Sequence, residues 1–263
     1  DKNGNLLYNV IGVDLGNNKN YWKIARANKG KPPVVSSDKN MTKAYLNSKQ
    51  NKNFYATYSN YAYAKADIVV IDLNIDIKKK SLGGADNYNF TYKTFEKAIK
   101  NVADNIYENT TVIVETTVPP GTTEKIIYPI FKDSFVNRGL DINKFYLAHA
   151  PERVMPGPNY LNSIVNYHRV FSGINSESKK RAKKFLTSFI NVKKYPLIEL
   201  HSTTASEMAK VLENSYRAAN IAFIQEWTEY AEKAGVNLYD IVNAIRVRTT
   251  HANIMSPGFG VGG

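Results

Sequence analysis

Short apolar runs separated by longer amphipathic stretches fill the first 200 residues. Tyr8-Asn9-Val10-Ile11-Gly12-Val13-Asp14 reads as a buried strand that ends in an acidic residue. Asp67-Ile68-Val69-Val70-Ile71-Asp72-Leu73, Thr111-Val112-Ile113-Val114-Glu115, Phe145-Tyr146-Leu147-Ala148-His149 and Arg169-Val170-Phe171-Ser172-Gly173 read as further strands. Brief β-branched runs bounded by turn residues are the mark of strands covered on both faces. Between them, Phe95, Ala98, Ile99, Val102 and Ile106 recur at helical spacing and give one apolar stripe. A helix is also expected after Gly121, and another over 178–189. The alternation predicts an α/β fold built on a mostly parallel, doubly wound sheet.

The pattern changes near residue 200. Thr204-Ala205-Ser206-Glu207 has the form of a capping box, in which hydroxyl and carboxylate each satisfy a free backbone donor. From there one helix of about 30 residues is expected to reach Ala234, stopped by Gly235. Asn237 can cap a second helix running to about Val247. On the long helix Glu207, Lys210, Asn214 and Arg217 share one face. Met208, Leu212, Ala219, Ala222 and Phe223 form a different stripe. The sequence closes on the glycine-rich Ser256-Pro257-Gly258-Phe259-Gly260-Val261-Gly262-Gly263. One boundary follows, between a domain over 1–200 and a helical domain over 201–263.

With 263 residues, 43% of them hydrophobic, the chain can bury a substantial core. No apolar run reaches the roughly 18 residues that span a bilayer, and the first residues lack a signal-peptide pattern, so no membrane partner is expected. The absence of cysteine excludes disulfides, thiolate metal sites and thiol chemistry within these residues; it fits a cytoplasmic protein, and no metal site is expected. A net charge of +12 raises the prospect of nucleic acid. The lysines are spread thinly, however, and Lys179-Lys180-Arg181 with Lys183-Lys184 fit a solvated helix face. A dinucleotide or nucleotide diphosphate suits such a protein equally, and no nucleic-acid partner is expected.

Chemistry concentrates after the strands, where ligands of open α/β sheets bind. Asp14, closing its strand, can accept from ribose hydroxyls, although the GxGxxG fingerprint that should precede it by about 20 residues is not in the sequence. Thr116-Thr117-Val118-Pro119-Pro120-Gly121-Thr122-Thr123 follows the third strand and opens a helix, so that hydroxyls and a helix N-terminus face whatever lies above it. An ordinary capped turn would read the same way. Pro151-Glu152-Arg153-Val154-Met155-Pro156-Gly157 offers a carboxylate that could act as general base or pair with its neighbouring arginine. Lys210 and Asn214, one turn apart, can hold an oxyanion or a hydroxyl, or simply line a solvated face.

In order and at compatible spacing, the five segments 10–14, 117–123, 151–157, 207–214 and 256–263 resemble the UDP-glucose/UDP-N-acetylhexosamine dehydrogenase family over nearly the whole chain. That family oxidises the C6 hydroxymethyl of a UDP-sugar to a carboxylate in NAD-dependent steps through a cysteine thioester. The resemblance implies a partial Rossmann-type domain followed by a long-helix dimerisation region, with the 204–234 helix pairing two copies. It implies NAD as cofactor, with Asp14 on the ribose and Asn74 and Thr116 to Val118 walling the nicotinamide. Thr117 would hold the water or hydroxyl near the reacting carbon. Glu152 resembles the base of thioester hydrolysis, and Arg153 and Val154 line the sugar pocket. Lys210 and Asn214 resemble the pair that stabilises charge at C6; His251, Asn253, Phe259 and Gly260 fall among the sugar contacts. The Pro-Glu-Arg-Val motif followed by proline is similar to the N-acetylhexosamine branch. The chain is expected to lack the family's GxGxxG strand, its catalytic cysteine and the domain that closes over UDP, and so to be inactive alone. The rival readings are a non-catalytic nucleotide- or protein-binding module on this scaffold, a basic nucleic-acid binder, and a related hydroxyacid or sugar-phosphate dehydrogenase.

Overall fold

The computed structural model describes residues 6–73, 75, 78–79, 88–89, 92–154 and 157–260. Contacts within the chain separate two compact units, Asp1–Glu207 and Met208–Gly263. The first contains β1 (Val10–Val13), α1 (Tyr21–Asn28), α2 (Lys39–Gln50), β2 (Phe54–Thr57), β3 (Ile68–Ile71), β4 (Lys78–Lys79), β5 (Tyr88–Asn89) and α3 (Lys93–Ala103). It continues with β6 (Thr111–Val114), α4 (Tyr128–Asn137), β7 (Tyr146–His149), α5 (Tyr160–Val165), β8 (Val170–Gly173), α6 (Ser176–Phe189) and β9 (Ile198–Glu199). Helix α7 (Thr203–Lys233) starts in the first unit and continues into the second, which also holds α8 (Leu238–Arg246).

The main sheet has the order β3-β6-β7-β8-β9. Its β3–β6, β6–β7 and β8–β9 pairs are parallel, and β7–β8 is antiparallel with His149 opposite Ser172. Reversal at β8 brings Arg169, just before that strand, to the carboxyl end of β6 and β7. Alternation along the strands separates two cores. Val112, Val114 and Leu147 pack with Phe95, Ile99 and Val102 of α3 and Phe131 and Phe135 of α4. Ile113 and Ala148, one residue out of phase, pack with Phe171 and with Ala182 and Leu186 of α6. Helices therefore cover both faces, the doubly wound arrangement expected. Gly173 makes the second layer possible: a Cβ there would meet the backbone nitrogen of Lys179 and the Cβ of Ser178, each at 2.8 Å.

Several sequence expectations are corrected. The strand around Val10 is not buried: Val10 and Ile11 are 48% and 47% exposed, because β1 pairs with β2 alone among the described strands. Strand β2 and helices α1, α2 and α5 were not anticipated; α2 (KNMTKAYLNSKQ) buries only Met41 and so shows little apolar periodicity. The 204–207 segment is not a capping box. Helix α7 begins one residue earlier, the Ser202 hydroxyl accepts the Ala205 N–H at 3.1 Å, and the Glu207 carboxylate goes elsewhere. At the other end, Gly235 at φ +69° stops the helix and Asn237 accepts from the Tyr239 N–H, both as expected.

In the second unit α7 packs Ile224 and Ala231 with Leu238 and Val242 of α8, and Ile221 is buried as well. The other apolar stripe stands in solvent, with Met208, Leu212 and Phe223 at 45%, 59% and 59% exposure. Among the described residues no helix is long and apolar enough to cross a membrane.

Candidate active site

Three strand ends meet at the carboxyl edge of the main sheet. Thr116 follows β6 and is buried; its hydroxyl accepts the Leu73 N–H at 2.8 Å and donates to the Ile71 carbonyl at 3.3 Å. It thereby ties the ends of β3 and β6 together. Thr117, the next residue, is exposed. Val118 turns back into the core at 1% exposure, leaving only its backbone for a ligand. The turn thus presents Thr117 between two anchored neighbours.

Glu152 follows β7. Its N–H donates to the Glu115 carbonyl at 3.2 Å, and its carboxylate accepts the Val154 N–H two residues on. Beside it, Arg169 donates to the Glu115 carboxylate in a pair that is almost entirely buried. Burial pushes the Glu115 carboxyl above its usual range; Arg169 opposes this, and the charges of Asp72 and Glu152 reinforce it. The sheet edge therefore collects several carboxylates around one buried guanidinium, and no local pattern pointed to Glu115 or Arg169. Arg153 and Val154 are half-buried in the loop, with Arg153 donating to the His168 carbonyl at 3.2 Å. Met155, Pro156 and Asn74 lie outside the described residues.

The start of α7 is bound to this edge by a buried polar network. His149, at the end of β7, is fully buried and meets the Ser206 hydroxyl through Nδ1 at 2.8 Å. Burial lowers its pKa to about 4, so the ring is neutral at physiological pH. Thr203 donates to Glu124 at 2.8 Å. Glu207, with no exposed surface, accepts from the Gly121 N–H at 2.5 Å, the Thr123 N–H at 2.7 Å and the Thr123 hydroxyl at 2.6 Å. Burial raises the Glu207 carboxyl pKa, against the pull of these donors. The helix N-terminus expected to face a ligand is thus filled by the protein's own carboxylate.

Asp14 follows β1, half-buried, and receives the Leu15 N–H at Oδ1, 2.7 Å; this is its only side-chain hydrogen bond among the described residues. A carboxylate oxygen left in this way at a strand end suits a ribose hydroxyl. In the second unit Lys210 and Asn214 are half-buried, one turn apart on α7, and Arg217 is exposed. His251, whose Nδ1 lies 2.8 Å from the Thr250 hydroxyl, and Asn253 are exposed, as are Phe259 and Gly260. Arg246 holds the segment before them, donating to the Ile254 carbonyl and the Ser256 hydroxyl. Val261, Gly262 and Gly263 lie outside the described residues.

Two family models account for most of the chain. That of the UDP-glucose/GDP-mannose dehydrogenase family, NAD binding domain, matches residues 4–190, and that of the same family's central domain matches 204–263. UDP-N-acetyl-D-mannosamine dehydrogenase of Methanococcus maripaludis strain C7 is 31% identical over 97% of this chain and 53% of its own length. The enzyme of that name from Pyrococcus horikoshii is 39% identical over 64% of this chain and 38% of its own. The solved structure of UDP-D-ManNAc dehydrogenase from P. horikoshii superposes with a TM-score of 0.75 at 28% identity, covering 97% of this chain and 56% of that one. The chain spans about half the length, or less, of these relatives. With its NAD-binding domain matched over 4–190 and the central domain over 204–263, the chain belongs to the UDP-glucose/GDP-mannose dehydrogenase family.

Proposed function

We propose that this chain carries the cofactor- and sugar-positioning part of an enzyme that oxidises the C6 hydroxymethyl of a UDP-sugar to the uronate, with a UDP-N-acetylhexosamine favoured over UDP-glucose. The product class is a precursor for polysaccharide, made in the cytoplasm. The observation that carries the reading is the pairing of Thr117 and Glu152 at adjacent strand ends, one exposed and the other half-buried, within a chain matched by both family models. The relatives named for UDP-N-acetyl-D-mannosamine support the sugar class. NAD, when bound, supplies the hydride acceptor. Asp14 would hold its adenosine ribose, and Asn74 with the 116–118 turn would wall its nicotinamide.

Around the sugar, Glu152 serves as general base, its carboxylate already restrained by the Val154 N–H. Arg153 and Val154 line the pocket. Lys210 and Asn214 stabilise negative charge at C6, and their half-burial strengthens that interaction relative to open water. His251, Asn253, Phe259 and Gly260 contact the sugar, some of them from a second copy. The family's second oxidation passes through a cysteine thioester, and these 263 residues contain no cysteine. They therefore bind and orient without completing the reaction.

Titration of the purified 263 residues with NAD and with a UDP-N-acetylhexosamine, read by thermal unfolding and by assay for the uronate, tests this. Each ligand at about 100-fold over its Kd should stabilise the fold by about 2.7 kcal/mol, and with both present the second oxidation should not occur, so that no uronate forms. Uronate formed without a cysteine, or no stabilisation by either ligand, defeats the proposal.

A further inference from the structure

Among the described residues of the first unit, the carboxylate that accepts three hydrogen bonds from one neighbouring turn has no place in the chemistry above. Glu207 is fully buried, yet no cationic side chain neutralises it in its hydrogen bonds. Its partners are the amides of Gly121 and Thr123 and one hydroxyl, the free donors at the start of the helical turn 123–127 that leads into α4. The local cap is missing there: the Thr122 hydroxyl donates instead to the Pro119 carbonyl, at 2.6 Å. A residue 84 to 86 positions later in the sequence supplies it.

We infer that Glu207 is the positioning residue of the 116–121 turn, setting the shape in which Thr117 is presented. The turn is pinned at its start by Thr116, bonded to Ile71 and Leu73, and in its middle by the buried Val118. Its far end reverses through Gly121 at φ +92°, a conformation with little local preference to hold it. Two backbone hydrogen bonds to one rigid, charged acceptor fix that end, and charge-assisted bonds are the stronger kind. Because Glu207 lies on α7, three residues before Lys210, the same contact sets the register of that helix start against the turn. The inference rests on the reading of 116–118 as the nicotinamide wall for its functional consequence, but not for its structural content.

Residue-resolved amide exchange and NAD titration on the 263-residue chain test it, with Thr203→Val as the matched control. That control removes the Thr203–Glu124 bond from the same helix start and leaves the turn's donors alone. In Glu207→Gln, whose amide offers one acceptor instead of two, exchange at Gly121, Thr122 and Thr123 should rise by about tenfold or more, and Kd for NAD by about fivefold. In Thr203→Val both should stay within about twofold of wild type, whatever its stability. Should the glutamine variant not fold, Glu207→Asp, which keeps the charge and withdraws it by one methylene, carries the same expectation. Equal changes in both variants, or none in the Glu207 variant, overturn the assignment. A wild-type chain that binds no NAD defeats the cofactor reading, and the exchange arm alone then decides the role of Glu207.

Discussion

His149 shows what burial does to one titrating side chain. Its pKa in the fold is about 4, whereas an unfolded histidine titrates near 6.5. Between those values the unfolded chain takes up a proton that the folded chain refuses, so stability present above pH 6.5 is lost as the pH falls toward 4. From pH 7.5 to 5 the loss from this residue should be about 2 kcal/mol. Denaturant unfolding at both pH values, in wild type and in His149→Gln, checks it; an equal pH dependence in the two proteins would be evidence against it. Glu115 and Arg169 form the complementary case. Arg169→Met should cost about 3–5 kcal/mol, because it leaves a buried carboxylate without its counter-charge, whereas the double variant with Glu115→Leu should recover much of that loss. At this scale the sequence was legible only where a residue sat in a recognisable motif. Glu152 and Thr117 could be singled out from their strand-end positions, but the partner of Glu115 depends on the reversal at β8, which no local pattern announces.

Elements followed their apolar periodicity closely. The α3 stripe and the strands around Val112, Leu147 and Phe171 fell in the core because each places branched or aromatic residues at one consistent period. Helices α1 and α5, of eight and six residues, are too short to establish a helical period, and α2 is polar along most of its length, burying only Met41. The Thr204–Glu207 spacing misled for a different reason: a carboxylate three residues past a hydroxyl fits a capping box, and a stronger pair of donors elsewhere won it. The tightest constraint between elements is Gly173. Adding a methyl there forces the α6 backbone away from β8, so Gly173→Ala should destabilise by about 2 kcal/mol or more. Chemical denaturation would show this; a cost below about 0.5 kcal/mol would mean that α6 can shift freely.

For the molecule as a whole, the family and its fold could be read from five short segments in order, while the surface could not. The exposed face of α7 carries Met208, Leu212, Tyr216, Phe223 and Tyr230, between 45% and 79% exposed. A row of large apolar side chains in water usually marks an interaction surface, and it supports the proposed pairing of two copies through this helix. Sedimentation of the chain should show a dimer, and Leu212→Glu should shift it to monomer; a wild-type monomer at high concentration would refute the pairing.

The clamp made by Glu207 also has a consequence in time. Chains are synthesised from the N-terminus at about 5–20 residues per second, and Thr123 precedes its carboxylate partner by 84 residues. For roughly 4–17 s at that rate, β3, α3, β6 and the 116–121 turn are already synthesised while the carboxylate that caps the start of the next helix is not. The turn therefore cannot take its final form with the sheet it belongs to. It matures only when the long helix arrives, which makes the cofactor-side loop among the last parts of the first unit to be finished.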